Sequence, residues 1–214
     1  MGPARVTLAG RYVTDLPLDP EQHRDALWDG TGGEANAALW DWMFDGPFAS
    51  RTPFDEHLAA KARSEDPLFS TYIDAKGRAV GMGSFMRIDV KNRVVEVGNL
   101  MFGREMQRTR ASTEAMYLMA RYVFEELGYR RYEWKCNNRN EPSKATAKRL
   151  GFTFEGIFRQ HMVVKGKNRD TAWFAMLDFE WPARKAEFER WLDPANFDAT
   201  GQQRTRLAQA ISES

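Results

Sequence analysis

The segment QRTRASTEAM, residues 107–116, lies between a β-rich run, VVEVGNLMF, and an apolar helical pattern. A strand that ends just before a helix start leaves several backbone N–H groups unpaired, and these, with the helix dipole, suit a pyrophosphate. One residue is out of character: Arg110 stands where a phosphate-cradling loop ordinarily has glycine. Glycine supplies φ above zero and room for close backbone approach. An arginine replaces it where the backbone stays in an ordinary region and the side chain projects away; its guanidinium then offers a phosphate charge-assisted hydrogen bonds. The competing reading is a solvated helix-start residue on a loop that no longer binds. QRTR recurs at residues 203–206 with no strand before it, so the tetrapeptide has meaning only in context.

A second set of residues is suited to moving protons. Ser143 suits a helix start, where it serves the backbone, and Asn140 is a candidate N-cap. Glu96 lies on the strand entering the loop, where a glutamate also suits an ion pair with Arg or Lys. Cys136 accepts a proton only if tuned, since an unperturbed thiol titrates near pKa ~8.5; a lone strand cysteine is otherwise buried packing. His161 is a third titratable candidate, with a surface or structural role as the alternative.

These residues need a scaffold, and the chain has the patterns for one. From residue 20 to 65 it reads as three helices, DPEQHRDALWD, EANAALWDWMF and PFDEHLAAKARSE, with Asp19, Glu34 and Thr52 near their starts. LFSTYIDAKGRAVGMGSFMRID and VVEVGNLMF form an antiparallel meander around the turns at Lys76-Gly77 and Lys91-Asn92. ASTEAMYLMARYVFEELGY puts Ala115, Leu118, Met119, Tyr122 and Val123 at helical spacing, and Gly128 marks its stop. RRYEWKC is a strand, residues 142–150 a helix closed by Gly151, and FTFEGIFRQHMVV with DTAWFAMLDFEW a hairpin. ARKAEFERWL closes the fold as a helix, and the remainder is polar enough to be a mobile tail.

Composition narrows the function. Lys plus Arg number 31 against 30 Asp plus Glu, so the balance lacks the broad positive field of a nucleic-acid binder. A P-loop NTPase would need a glycine-rich loop ending in Lys-Ser or Lys-Thr, which is absent. One cysteine excludes an internal disulfide, and no Cys/His cluster has zinc spacing, so no metal is expected. There is no apolar leader, no myristoylation signal, since Val6 holds its Ser/Thr position, and no membrane-length apolar window. A soluble cytoplasmic protein is expected.

The order of elements, with VEVGNLMFGREMQRTRASTEA and NRNEPSKATAKRLGFTFEGIFRQ, resembles the GNAT N-acetyltransferase superfamily, and within it the RimJ/RimL branch, over residues 8–182. That branch acetylates N-terminal amines of ribosomal proteins, and its relatives modify small amines. The resemblance implies an α+β (α/β) GNAT fold, with a central mixed, mostly antiparallel twisted sheet flanked by helices. It implies one domain, residues 1–192, before the tail, residues 193–214. The implied cofactor is acetyl-CoA, held by Leu100, Met101, Phe102, Gln107, Arg108, Thr109, Arg110, Ala111, Ser112, Asn140 and Ser143. Family members commonly have glycine at the positions of both Arg108 and Arg110.

Implied catalytic residues are Ser143 as acid to the coenzyme A sulfur and Glu96 as base through water. Cys136, seven residues before Ser143, has a spacing seen in the RimL-like branch, where a cysteine has been proposed as base. The implied reaction is direct transfer to an amine, a small molecule or a peptide N-terminus. Trp40, Phe44 and Phe48, with Trp42, offer an aromatic wall, Asp41 and Asp45 an acidic lip, and His161 the hairpin side of the pocket; the same aromatics also suit a helix core. The alternative function is a GNAT-fold acyl-CoA-binding or sensor module without catalysis. Homodimers occur in this branch, but the sequence carries no interface signal.

Overall fold

The β-rich runs assemble into one sheet in a computed structural model that describes residues 1–207. Its strands are β1 (Leu8–Ala9), β2 (Val13–Pro17), β3 (Leu68–Asp74), β4 (Ala79–Asp89), β5 (Val94–Phe102), β6 (Arg131–Asn137), β7 (Thr153–Val164) and β8 (Lys167–Leu177). They lie in the order β1-β2-β3-β4-β5-β6-β8-β7. Only β5 and β6 run parallel. A parallel pair needs a crossover, and here it is the helix the apolar spacing predicts after the loop.

The helices are α1 (Pro20–Thr31), α2 (Arg51–Arg63), α3 (Arg110–Arg121), α4 (Glu141–Arg149) and α5 (Trp181–Leu192). They cover both faces of the sheet. Leu27 of α1 with Phe54 and Leu58 of α2 packs on Phe69 and Met82. Leu118 and Met119 of α3 with Phe188 and Trp191 of α5 packs on Tyr72, Phe85 and Val95. α3 buries the predicted stripe, and a π turn over Tyr122–Glu126 extends it. No helix among the described residues is long and apolar enough to cross a membrane.

Two expectations need correction, and two strands went unread. The segment expected to be a second helix is a 3₁₀ helix, Glu34–Trp40, followed by turns. Glycine pairs or Gly-Pro bound it on both sides, and the Trp40 indole N–H is pinned to the Thr31 carbonyl at 2.7 Å. Strands β1 and β2 are too short to show alternation and are held instead by a distant carboxylate. Glu114 of α3 accepts from the amides of Arg11, Tyr12 and Val13 at 2.6–2.9 Å. A Cβ at Gly10 would stand 2.4 Å from that carboxylate, so glycine permits the approach.

The tail is the second correction. Residues 193–207 are packed rather than mobile: Phe197 and Leu207 are buried, and Asn196 bonds the backbone and hydroxyl of Thr205. The rest of the expected tail, residues 208–214, lies outside the described residues.

Asp15 of β2 is 2% exposed, and its Oδ1 has no hydrogen-bond partner among the described residues. Burial pushes its carboxyl from the ordinary 3.8 up to about 7, against a smaller opposing effect of the Ser70 side chain. Between those values the folded chain keeps a proton that the unfolded chain has released. Its contribution is therefore full below the lower value and lost as pH rises through the upper one. Asp15→Asn should gain on the wild type in thermal melts as pH rises from about 4 to about 7, by ~2–4 kcal/mol at the top. A difference that does not change with pH would show that Asp15 does not titrate there.

Candidate active site

β5 and β6 are registered only from Val94↔Arg131 to Val97↔Trp134. Beyond that, β5 takes an extra residue: Gly98 to Met101 on β5 faces Met82 to Ser84 on β4. Asn99, in the bulge, has φ 53° and donates from Nδ2 to Ser84 Oγ at 2.9 Å. A bulge bends its strand and exchanges the faces of the residues beyond it. Accordingly Val95 and Val97 join the α3 side of the core and Met101 the α1 side. β6 stays with β8 as far as Asn137↔Thr171. The wedge between residues 98–102 and 135–137 opens a cavity of about 1280 Å³.

At one end lies the loop before α3. Gly103 N donates to Val80 O, and the amides of Met106 and Gln107 donate to Gly103 O. The Gln107 side-chain amide holds the Phe102 carbonyl at 2.9 Å, and Thr109 Oγ1 donates to Met106 O at 2.6 Å. Thr109 then caps α3 by accepting from Ser112 N. No described residue accepts from the amides of residues 108–111. The loop is thus a fixed cradle with outward amides at a helix N-terminus.

The two arginines differ. Arg108 has φ 60°, the left-handed conformation glycine would supply, so the expectation of ordinary backbone fails there. Arg110 is helical, and its guanidinium sits between the rings of Tyr12 and Phe197, 4.7 Å from each. Both line the cavity. Sequence reasoning missed three more guanidinium groups at this end, those of Arg149, Arg204 and Arg206. Arg149 donates to Thr113 Oγ1 and lies over Trp191. The second QRTR is brought here because Trp191 Nε1 donates to Gln203 Oε1 at 2.7 Å and Arg190 holds Thr205 and the Arg206 carbonyl. Free amides ringed by five guanidinium groups fit a diphosphate-bearing cofactor.

In the middle, Asn140 caps α4 by accepting from Ser143 N at 3.1 Å. Trp134 Nε1 donates to Ser143 Oγ at 3.0 Å, which leaves the hydroxyl proton to be given. Cys136 is 6% exposed, and burial pushes its thiol up, with the Ser143 side chain opposing. That corrects Cys136 as base: it is a protonated packing group at neutral pH. Glu96 has the ion pairs that were the alternative, to Arg87 at 2.5 Å and Lys135 at 2.9 Å. Both reach Oε2; Oε1 has no described partner, and the residue lines the cavity.

At the far end, Trp42 and Phe44 line the cavity. Trp40 and Phe48 do not: Trp40 is 1% exposed, and the pair stacks edge-on at 4.9 Å inside the α1–α2 core. Neither residue of the acidic lip, Asp41 or Asp45, lines the cavity, and Lys61 holds Asp45 at 3.0 Å. His161 stands on the β7 bulge with Nδ1 2.9 Å from Thr171 Oγ1, beside the cavity rather than in its wall. Loss of water, then Arg87 and Arg169, lower its pKa and keep it neutral.

Residues 11–153 match the family described as Acetyltransferase (GNAT) domain. A solved GCN5-related N-acetyltransferase from Brucella melitensis is 49% identical, with a TM-score of 0.94 over 96% of this chain and 93% of its own. A GNAT-family probable acetyltransferase from Chromobacterium violaceum is 36% identical, with a TM-score of 0.78 over 84% and 90%. The curated "Putative ribosomal N-acetyltransferase YdaF" of Bacillus subtilis is 32% identical over 109 residues, 51% of this chain and 59% of its own length. The match thus spans less than two thirds of that relative.

The left-handed Arg108 gives a stability test. Arg108→Gly should melt within ~1 kcal/mol of the wild type, because relief of backbone strain offsets the added freedom of the unfolded chain. Arg108→Val should lose ~1–2 kcal/mol against the glycine variant, since a β-branched residue resists φ above zero. Equal melts for the two would show that the loop does not hold this conformation.

Proposed function

Because the chain belongs to the GNAT acetyltransferase family, we propose that it moves an acetyl group from acetyl-CoA to a primary amine by direct transfer in a ternary complex. The observation that carries this is the parted β5–β6 wedge, which joins the amide cradle to Ser143 and Glu96 in one cavity. When bound, acetyl-CoA supplies an activated acyl carbon with a thiolate leaving group. The amides of residues 108–111 and the surrounding arginines hold its phosphates. Amides of residues 98–102 on the β6 side, released from sheet pairing, are donors for the thioester carbonyl.

Glu96 Oε1 takes the proton that the amine must lose, while Oε2 stays with its two cations. Ser143 gives its hydroxyl proton to the sulfur. A C–N bond forms as the C–S bond breaks; one proton passes from nitrogen to Glu96 and one from Ser143 to sulfur, and proton exchange with solvent restores both side chains, so no acyl-enzyme is needed. The likeness to a protein named as a ribosomal N-acetyltransferase supports a peptide N-terminus as acceptor, and the aromatic residues Trp42 and Phe44 at the far end of the cavity also suit a small amine. A cytoplasmic setting, where acetyl-CoA is available, goes with this reading.

Calorimetric titration with acetyl-CoA tests the cofactor site directly, and saturable micromolar-range binding is expected. Arg204→Ala with Arg206→Ala should weaken acetyl-CoA by ~10-fold. A loss confined to acetyl-CoA and absent for dephospho-acetyl-CoA would put these arginines on the ribose phosphate; an equal loss would put them on the diphosphate. Ser143→Ala should lower kcat by ~10²-fold with little change in cofactor affinity. Unchanged turnover would remove its acid role, and binding without turnover on any amine would leave the non-catalytic acyl-CoA module.

A further inference from the structure

Six charged side chains alternate in a line across the fork of β5 and β6. Arg87 pairs with Glu96, Glu96 with Lys135, Lys135 with Glu133, Glu133 with Arg131, and Arg131 with Glu155. Three cations and three carboxylates thus satisfy one another, and the line is closed.

Arg169 of β8 stands beside this line and belongs to none of its pairs. It is 7% exposed, lines the cavity and has no carboxylate at ion-pair distance among the described residues. Its Nε donates to Thr171 Oγ1 at 3.1 Å, and its guanidinium carbon lies 5.1 Å from the centre of the Phe44 ring. These contacts fix the plane of the group and use only Nε. The two terminal nitrogens are left as a parallel pair of donors. Burial lowers the guanidinium's pKa, with Glu96 opposing this and Arg87 reinforcing it. An unpaired buried arginine is costly unless a partner completes it.

Resting on the transferase reading for the reaction itself, we propose that the acceptor is a small amine that also carries a carboxylate, and that Arg169 receives this carboxylate through its two terminal nitrogens. The planar fork matches a carboxylate bidentately. Because Arg169, Glu96 and Ser143 line the same cavity, the carboxylate is held in the space where the nitrogen reacts. This reverses the sequence expectation of an acidic lip for a purely cationic amine. Phe44, which lines this end of the cavity with Trp42, supports the guanidinium rather than an ammonium.

The test compares matched pairs: glycine with glycinamide, β-alanine with its amide, and short peptides whose second residue is aspartate or asparagine. In the wild type the free carboxylates should exceed their amides by ~10-fold or more in kcat/KM, mostly through KM. Arg169→Gln should erase the preference while acetyl-CoA affinity, read by calorimetry, is retained; Arg169→Lys should restore part of it. Equal use of both members of each small pair, or a preference that survives Arg169→Gln, overturns the proposal. Discrimination of the peptide pair alone overturns the small-molecule assignment.

A binding measurement separates this from the transferase reading. N-acetylglycine and N-acetylglycinamide are titrated by ligand-observed NMR with no coenzyme present. Selective binding of the carboxylate that vanishes in Arg169→Gln supports the anion site even if no turnover is found. Lack of selectivity sinks it even if acetyl-CoA binds and reacts.

Discussion

The hydrogen bonds that β5 and β6 do not make are the constraint around which the molecule is arranged. Parting two strands inside a sheet strands backbone donors and acceptors, which is costly unless something else engages them. Here the bulge at Asn99 turns β5 aside while its pairing to β4 continues, and β6 keeps its full pairing to β8. The cost therefore falls only on the facing edges, which border the cavity. Just beyond the last registered pair, Lys135 of β6 reaches Glu96 of β5 at 2.9 Å and lies over Trp173. That buried bridge ties the strands together at the fork.

Electrostatics at the two ends of the cavity follow from how these charges are shared. The chain as a whole carries a formal net charge of +1, yet the arginines of the loop, α4 and the C-terminal segment gather at one end. The alternating line from Arg87 to Glu155 cancels itself at the fork. Among the described residues Arg169 is left without a carboxylate partner in the cavity wall, and an unbalanced buried charge is a stronger pointer to a ligand than a balanced one.

The long arms of the structure serve to close this space. Lys165, at the tip of the β7–β8 hairpin, donates to the Trp40 carbonyl at 2.8 Å and fastens the hairpin to the 3₁₀ segment. Arg110 between Tyr12 and Phe197 fastens the two ends of the chain to the start of α3. A departure from the usual glycine loop has thereby become a structural bracket, and the cradle keeps its left-handed turn through Arg108.

What the sequence determined by itself was whatever depends on neighbours along the chain. The apolar stripe of α3, the Asn140 cap, the Gly151 stop and the strand-loop-helix order were legible, because 3.6- and 2-residue periodicities and capping chemistry are local. Strands β1 and β2 were not, because Glu114 holds them from about a hundred residues away. The same limit governed the site. Ser143 and the loop could be named from spacing, whereas Arg149, Arg204 and Arg206 reach the cavity only through contacts with Thr113, Trp191 and Asn196. Whether an aromatic lines a pocket or a core, as Phe44 and Trp40 divide, and whether Arg169 has a counter-charge, depend on which surfaces meet in space. Only the tertiary structure decides that, since burial and ion pairing are properties of the packed chain and not of its order.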